Sequence, residues 1–223
     1  SKDDVVIPAF RRLCDLIGKE RVVWRYDPIL LSEKYTIQYH IRHFRRLCGE
    51  LADCTEKCTI SFIDMYRNIR RSISALGIGG VSEDQMEELA EAFSEIAKEH
   101  GIYIDTCAEE ADLGRLGVEH AACIDRRRLD RIGGYKMDIK KDPNQRTACG
   151  CVSSIDIGAY NTCRNGCVYC YANFNRTIVL DCCSRHDPSA PLLCGQVCAE
   201  DIIKPREMKT CRDDQLSLDI SSA

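Results

Sequence analysis

The chain repeats one local pattern three times: an amphipathic helix followed by a short apolar strand. Apolar residues recur at helical spacing over residues 5–17, and an apolar run follows over residues 21–30. The pattern returns after Thr36, a candidate helix N-cap, and again after Ser82, which forms a capping-box pattern with Gln85. Strands that alternate with helices in this way form a parallel sheet with right-handed crossovers. The sequence therefore predicts an α/β fold.

The predicted strands are too few to close a barrel. Helices are expected over residues 5–17, 37–51 and 83–100. Strands are expected in the apolar runs at residues 21–30, where Pro28 should end the strand, and at 57–64, 102–107 and 117–124. The alternation suits an open doubly wound sheet or part of a barrel, and a small closed barrel takes about eight strands. Of these we expect a parallel-strand partial (β/α) barrel. The chain opens on a helix with no strand before it, which predicts that an N-terminal piece is absent. The expected parts are the partial barrel (1–125), a cysteine-rich cluster-binding region of the same domain (126–176) and an extended C-terminal tail (177–223).

Charge and hydropathy narrow the class of partner. The net charge is -4, from 31 basic and 35 acidic residues, so the overall field does not favour binding to nucleic acid. No run of 18 or more apolar residues occurs, and the N-terminus has neither a basic segment nor a long apolar one. We therefore expect a cytoplasmic protein without a membrane partner.

Cysteine is unusually frequent, with 16 residues in 223. In a small secreted domain this would indicate a disulfide scaffold, but this chain is long enough to build an apolar core without one. In a reducing compartment, clustered thiols are more often metal ligands. The cysteines therefore predict a metal site.

Three cysteines form a compact array, C-x3-C-x2-C, at Cys163, Cys167 and Cys170, with the aromatic Tyr169 before the last. Iron-sulfur clusters are held by thiolates, and three thiolates leave one iron of a 4Fe-4S cluster open to another ligand. Gly166 permits close approach of the backbone, and Tyr169 is placed to pack on that ligand. A zinc site completed by a fourth cysteine or histidine, or incidental free thiols, are the alternatives.

The array resembles the signature of the radical S-adenosylmethionine superfamily, whose members resemble partial or full (β/α) barrels. The resemblance implies a 4Fe-4S cluster on Cys163, Cys167 and Cys170 whose open iron binds S-adenosylmethionine, with Tyr169 near the adenine. It also implies reductive cleavage to a 5'-deoxyadenosyl radical, with flavodoxin or ferredoxin as electron donor. The order departs from the superfamily, where the cysteines usually follow the first strand.

A longer resemblance, from about Ile17 to Leu193, is to an uncharacterised prokaryotic family, a domain of unknown function with a cysteine-rich C-terminal end. It rests on GKERVVWRYDPILL, ISFIDMY, TCAEE, HAACID, SIDIGAYNTC and GCVYCYAN. The resemblance implies a further N-terminal part that is absent here, which agrees with the opening helix.

Four other cysteines are expected at one end of the sheet. Cys107 and Cys123 end predicted strands, and Cys149 and Cys151 form a C-x-C just before the array. Four thiolates would close the coordination of a second, auxiliary 4Fe-4S cluster. Alternatively, Cys107 and Cys123 are small buried apolar residues. The tail cysteines Cys182, Cys183, Cys194, Cys198 and Cys211 have no recognised spacing.

Three polar residues at predicted strand ends are candidates for cofactor binding. Arg25 and Asp27, with Pro28 ending the strand, suit a carboxylate or ribose hydroxyls, although a structural Arg–Asp pair is equally consistent. Glu109 suits a hydrogen bond to a ligand or a solvated turn. Gly-rich phosphate loops and nucleophile elbows are absent from the sequence, and it indicates no catalytic residue.

The leading hypothesis is a radical S-adenosylmethionine enzyme that acts on a small-molecule or unknown substrate. A second hypothesis is a non-catalytic iron-sulfur protein for electron transfer or redox sensing. A third is a zinc-stabilised binding module.

Overall fold

The computed structural model describes residues 2–67 and 69–213. These residues contain a four-stranded sheet with the strand order β1-β2-β3-β4, and every neighbouring pair of strands is parallel. The strands are β1 (Trp24–Ile29), β2 (Lys57–Phe62), β3 (Tyr103–Thr106) and β4 (Glu119–His120). The predicted α/β class with a parallel sheet is confirmed. Among the described residues the sheet remains open and is not closed into a barrel.

Six α-helices accompany the sheet in the described ranges. They are α1 (Ile7–Ile17), α2 (Ile37–Leu51), α3 (Arg70–Ser74), α4 (Glu83–Glu99), α5 (Arg126–Gly133) and α6 (Arg176–Ser184). The predicted N-caps of α2 and α4 are formed, because the side chains of Thr36 and Ser82 accept hydrogen bonds from the N–H groups of Tyr39 and Gln85. None of the helices in these ranges is long and apolar enough to cross a membrane.

One face of the sheet packs on helices through a stack of aromatic rings. The Phe44 ring of α2 stacks on Trp24 of β1 at 4.9 Å and on Phe93 of α4 at 4.0 Å between ring centroids. Tyr26 meets both phenylalanine rings edge-on. These rings, together with the fully buried Ile60 of β2, join α2, α4 and the sheet in one apolar core.

The other face of the sheet is polar. The parallel register aligns Arg25, Thr59, Asp105 and Glu119 in one row across the four strands. Lys57 pairs with Asp105, and the Thr59 hydroxyl donates to the Asp105 carboxylate at 2.7 Å. Lys57, Thr59 and Asp105 are all buried. The ion pair and the hydrogen bond offset the free-energy cost of removing these polar groups from water.

The prediction that Pro28 ends the first strand is wrong. Strand β1 continues to Ile29, whose carbonyl accepts a hydrogen bond from Ile63 N–H at 2.9 Å. The register shifts between Tyr26 and Ile29. Proline has no N–H to donate, and an edge strand such as β1 tolerates this because one side of it needs no partner.

His40 on α2 links that helix to the end of β1. Its Nε2 must donate to the carbonyl of Leu30 at 2.9 Å, since a carbonyl only accepts. In the neutral ring its Nδ1 then accepts from the Tyr26 hydroxyl at 2.9 Å. Burial is the main cause of a lowered pKa of His40.

This environment predicts a loss of stability in acid. A lowered pKa in the fold means that neutral His40 contributes stability above its unfolded pKa of about 6.5, and the contribution is lost as the pH falls below that value. We expect the free energy of unfolding of the wild type to fall by up to about 1.4 kcal/mol more per pH unit than that of His40→Gln. Urea unfolding followed by the fluorescence of Trp24, the only tryptophan, measures the difference. The exposed His186→Gln is the control and should keep the wild-type slope; equal slopes in all three proteins would contradict the assignment.

Candidate functional site

The C-terminal ends of the parallel strands meet at one edge of the sheet, where ligands bind in open α/β folds. Asp64 and Cys107 lie just beyond β2 and β3, and Cys123 follows β4. Asp27 lies near the end of β1. The structure therefore collects polar and thiol side chains at the edge that the sequence predicted.

Arg25 connects two parts of this edge. Its Nε and Nη2 donate to one Asp27 oxygen, Oδ2, at 3.0 and 2.6 Å, and its Nη1 donates to the Cys123 sulfur at 3.0 Å. Burial opposes the charge on Arg25, but the hydrogen bonds to Asp27, Cys107 and Cys123 and the charge of Asp27 together outweigh it, so the pKa of Arg25 is raised. The guanidinium is thus a fixed positive charge beside a thiol, and the Arg25–Asp27 pair is formed as the structural alternative expected.

Four of the cysteines outside the C-x3-C-x2-C array lie together, and they are called the sheet thiols below: Cys107, Cys123, Cys149 and Cys151. The sulfurs of Cys107 and Cys123 are 3.2 Å apart. The sulfur of Cys151 accepts from the backbone N–H of Cys123 at 3.2 Å. Cys149 and Cys151 are buried and pack with Cys107. The predicted convergence at one end of the sheet is present.

The sheet thiols differ in acidity and exposure. The contact with Cys107 is the main reason that the pKa of Cys123 is lowered to about 7, and Arg25 adds to this effect against burial. The same contact raises the pKa of Cys107, with burial as the second cause. Cys107 is half-buried and Cys123 is exposed, so neither is the fully buried apolar residue of the alternative interpretation.

The loop that carries Cys149 and Cys151 is fixed against the strand end at Gly150. A Cβ at Gly150 would lie 2.9 Å from the carbonyl oxygen of Ala121, closer than real side chains approach. On the C-terminal side of this loop, the N–H of Val152 donates to the carbonyl of Ile124 at 3.1 Å. Only glycine permits this approach, and the sequence signal for it was the glycine inside C-x-C.

The close approach predicts an effect on thiol reactivity. Gly150→Ala should push the loop away from Ala121 and raise the alkylation rate of Cys149 and Cys151 by roughly 5- to 30-fold, the factor that 1–2 kcal/mol of local destabilisation gives. Iodoacetamide labelling of the reduced protein without metal, with site-resolved mass spectrometry, measures the rates. Gly79→Ala is the control, because a Cβ there meets nothing within 4 Å. Unchanged rates in Gly150→Ala would show that the loop does not need the contact.

The cysteines of the C-x3-C-x2-C array, called the loop thiols below, face outwards. Cys163 and Cys167 are exposed and Cys170 is half-buried. The N–H of Cys170 donates to the carbonyl of Cys167 at 3.1 Å, and Gly166 has a φ of 65°, which favours glycine. The loop therefore turns tightly between its cysteines and leaves the thiols accessible.

Two asparagines that the sequence reasoning missed hold this loop. The Asn161 side chain accepts from the backbone N–H of Phe174 at 3.0 Å. The backbone N–H of Asn161 donates to the carbonyl of Ala172 at 2.9 Å. The Asn173 side chain donates to the carbonyl of Cys163 at 2.7 Å. Both asparagines flank the cysteine array, which was the available signal, since asparagine commonly bonds to nearby backbone.

A cavity of about 980 Å³ adjoins β1 and reaches the loop that carries the loop thiols. Its lining includes Arg25, Asp27 and, from the cysteine loop, Val168 and Tyr169. Tyr169 also packs against a small apolar cluster that includes Ile63. The volume lies within the usual range for a small-molecule site. The structure thus brings three of the four predicted cofactor-binding residues to one cavity.

Glu109, the fourth, has a different position. Its Oε1 accepts from the N–H of Phe62 at 2.9 Å at the end of β2, and burial is the main cause of its raised pKa. It is outside the set of described residues that line the cavity. Nearby, Arg146 forms an ion pair with Asp64 at 2.7 Å. A ligand-binding role for Glu109 stays a prediction.

The first part of the C-terminal tail, helix α6, packs beside the loop that carries the loop thiols. Helix α6 is capped by Asn175, and the thiol of Cys183 near its end donates to the carbonyl of Thr162 at 3.5 Å. The thiol of Cys182 hydrogen-bonds with Cys194. These contacts hold the first part of the tail beside the cysteine loop.

In residues 2–67 and 69–213, no group of three or more His, Cys, Asp or Glu side chains is placed to hold a metal ion. Four thiolates on one zinc ion lie about 3.8 Å apart, from a Zn–S distance of about 2.3 Å. An iron-sulfur cluster binds each thiolate to a different iron, which requires a wider spacing. The sulfurs of Cys107 and Cys123, 3.2 Å apart, are closer together than in either kind of site, so a metal ion or a cluster bound there would move them apart.

A family model described as a domain of unknown function, DUF1848, matches residues 1–172. Since the match covers more than half of the chain, the chain belongs to this family. No curated protein and no solved structure matches it. The matched residues include the sheet thiols and the loop thiols, whereas the five tail cysteines lie beyond them.

Proposed function

We propose that this DUF1848 member is a radical S-adenosylmethionine enzyme. Its loop thiols, Cys163, Cys167 and Cys170, hold a 4Fe-4S cluster, and the cavity beside Tyr169 binds S-adenosylmethionine. The observation that carries the proposal is the shared boundary of the cysteine loop and this cavity, which Val168 and Tyr169 line. Flavodoxin or ferredoxin is the electron donor, and the substrate is a small molecule or another unidentified compound.

The donor set fits such a cluster. Three thiols lie within eight residues of one tight loop, and two of the three are exposed. Thiolates are the usual ligands of these clusters, and three of them leave one iron for an exogenous ligand. The described residues offer no further cysteine within this short array, so the fourth position is left to the cofactor.

The finer fold proposal is a partial (β/α) barrel. Helices α2 and α4 cover one face of the sheet, and the other face carries the polar row of Arg25, Thr59 and Asp105. In (β/α) barrels the helices lie outside and the active site lies at the C-terminal ends of the strands. The polar face would then be the inner surface.

Cys163, Cys167 and Cys170 would hold the cluster, which when reduced would supply the electron for cleavage of S-adenosylmethionine to methionine and a 5'-deoxyadenosyl radical that takes a hydrogen atom from the substrate. The chain's own residues bind and orient the cofactor. Asp27 keeps Oδ1 outside its contacts with Arg25, so this oxygen can accept from the ribose hydroxyls. Arg25 provides positive charge for the carboxylate, and Tyr169 provides a ring face for the adenine.

Removal of the loop thiols tests the cluster. We expect replacement of Cys163, Cys167 and Cys170 by alanine to remove about four irons per chain and to abolish formation of 5'-deoxyadenosine, because the ligands are lost. Iron analysis after anaerobic reconstitution measures the first effect. Chromatography after dithionite reduction with S-adenosylmethionine measures the second.

The matched control replaces three tail cysteines, Cys194, Cys198 and Cys211, with alanine and should behave as the wild type. Unchanged iron in the loop-thiol variant would overturn the assignment. A brown protein that never cleaves S-adenosylmethionine would instead support electron transfer or redox sensing. A colourless protein containing zinc would support a zinc-stabilised binding module.

Tyr169 tests the cofactor cavity. Tyr169→Ala should keep the iron content and raise the KM for S-adenosylmethionine by about 2- to 10-fold, the factor expected from loss of an aromatic contact. Tyr169→Phe should stay near the wild type, because it keeps the ring. Tyr171→Ala is the control, because Tyr171 directly follows Cys170 in the sequence but does not line the cavity. If both alanine variants raise KM equally, Tyr169 has no specific role in binding.

A further inference from the structure

A second group of thiols lies outside the proposed cofactor site. Three separate segments supply it: Cys107 follows β3, Cys123 follows β4, and the loop at Gly150 supplies Cys149 and Cys151. The sulfurs of Cys107 and Cys123 are in contact, Cys149 and Cys151 lie in one buried cluster, and the N–H of Cys123 joins the two pairs through the sulfur of Cys151. Packing of one apolar core does not require four thiols from three segments at one point.

Hydrogen-bond donors are directed at these sulfurs. Arg25 Nη1 lies 3.0 Å from the sulfur of Cys123. The backbone N–H groups of Cys123 and Ile124 lie 3.2 and 3.4 Å from the sulfur of Cys151. Four cluster-bound thiolates carry excess negative charge, and donors to the sulfurs are a recognised means of stabilising it and setting the reduction potential. The surroundings suit ligated thiolates better than free thiols.

We propose that Cys107, Cys123, Cys149 and Cys151 hold a second 4Fe-4S cluster, closed by four protein thiolates, that transfers electrons. A closed cluster has no open iron and therefore does not bind S-adenosylmethionine. Arg25 contacts Cys123 and also lines the cavity beside Tyr169, so the cluster adjoins that cavity. The proposal rests on the sheet thiols alone and does not depend on the loop thiols.

Exposure of Cys123 is consistent with this use. Cys149 and Cys151 are 6% and 7% exposed, whereas Cys123 is exposed and its neighbour Cys107 is half-buried. The thiols thus extend from the interior to the surface. A cluster bound there has both a fixed inner side and an outer side that an electron-transfer partner can approach.

The test compares three full-length proteins after anaerobic reconstitution with iron and sulfide. They are the wild type, the loop-thiol triple alanine variant and a variant with Cys107, Cys123, Cys149 and Cys151 all changed to serine. We expect about eight irons in the wild type and about four in each variant. After dithionite reduction, the loop-thiol variant should give a 4Fe-4S electron paramagnetic resonance signal that S-adenosylmethionine does not alter.

Two single substitutions test the same cluster in case the quadruple serine variant does not fold. In the loop-thiol background, Cys123→Ser should lower the iron content or alter the signal, whereas Cys54→Ser, at a buried cysteine elsewhere, should leave both unchanged. Arg25→Gln in the same background should make the reduction potential more negative, because it removes a positive donor from a ligating sulfur.

Failure of this inference is distinct from failure of the proposed function. Absence of iron from the loop-thiol variant, about one zinc per chain in its place, or a Cys107–Cys123 disulfide in the reconstituted protein would overturn the second cluster. If only the proposed function fails, the wild type and the loop-thiol variant will both contain about four irons.

Discussion

Two opposite charges, Lys57 and Asp105, lie buried side by side on the polar face of the sheet. Neither is stable there without the other, because removal of one partner from a buried pair costs about 3–5 kcal/mol. The hydroxyl of Thr59 supplies a further hydrogen bond to Asp105. This compensation allows one face of a small parallel sheet to be polar while the other forms the core. The polar side chains at the strand ends, such as Arg25 and Asp27, depend on the separation of a polar face from an apolar one.

The apolar face of the sheet packs on helices, and the polar face carries Arg25. Stacked rings of Trp24, Phe44 and Phe93 join the sheet to α2 and α4, and they involve none of the candidate ligands. Arg25 stands in register with Thr59 on the opposite face and reaches both Asp27 and Cys123. The candidate ligands are therefore different residues from the stacked rings, although Trp24 and Tyr26 of that core also line the cavity. Substitutions at the strand ends can change the site without opening the aromatic core.

Much of this arrangement follows from local patterns in the sequence. The caps at Thr36 and Ser82 were readable because each places a hydroxyl three residues before the N–H that it accepts from. The meeting of Cys107 and Cys123 was readable because parallel strands end at the same edge. Residues 126–133 and 176–184 were not predicted to be helical, since both helices are short and largely exposed.

Other features depended on contacts between distant segments, which no local pattern encodes. Continuation of β1 through Pro28 depends on its position at the edge of the sheet. Closure of the cysteine loop by Asn161 depends on chain that returns at Phe174. The place of Glu109 depends on an N–H at the end of β2. In each case the residue type was visible, but its partner was not.

Strand β4 is only two residues long and pairs with β3 at two positions. Few hydrogen bonds hold it, so it belongs to the part of the structure that opens locally at the lowest free energy. Separation of β4 from β3 would carry Cys123 away from Cys107 without unpacking the stacked rings of Trp24, Phe44 and Phe93, which belong to other elements. The cluster proposed on the sheet thiols needs that extra distance, so its insertion would follow the folding of the aromatic core.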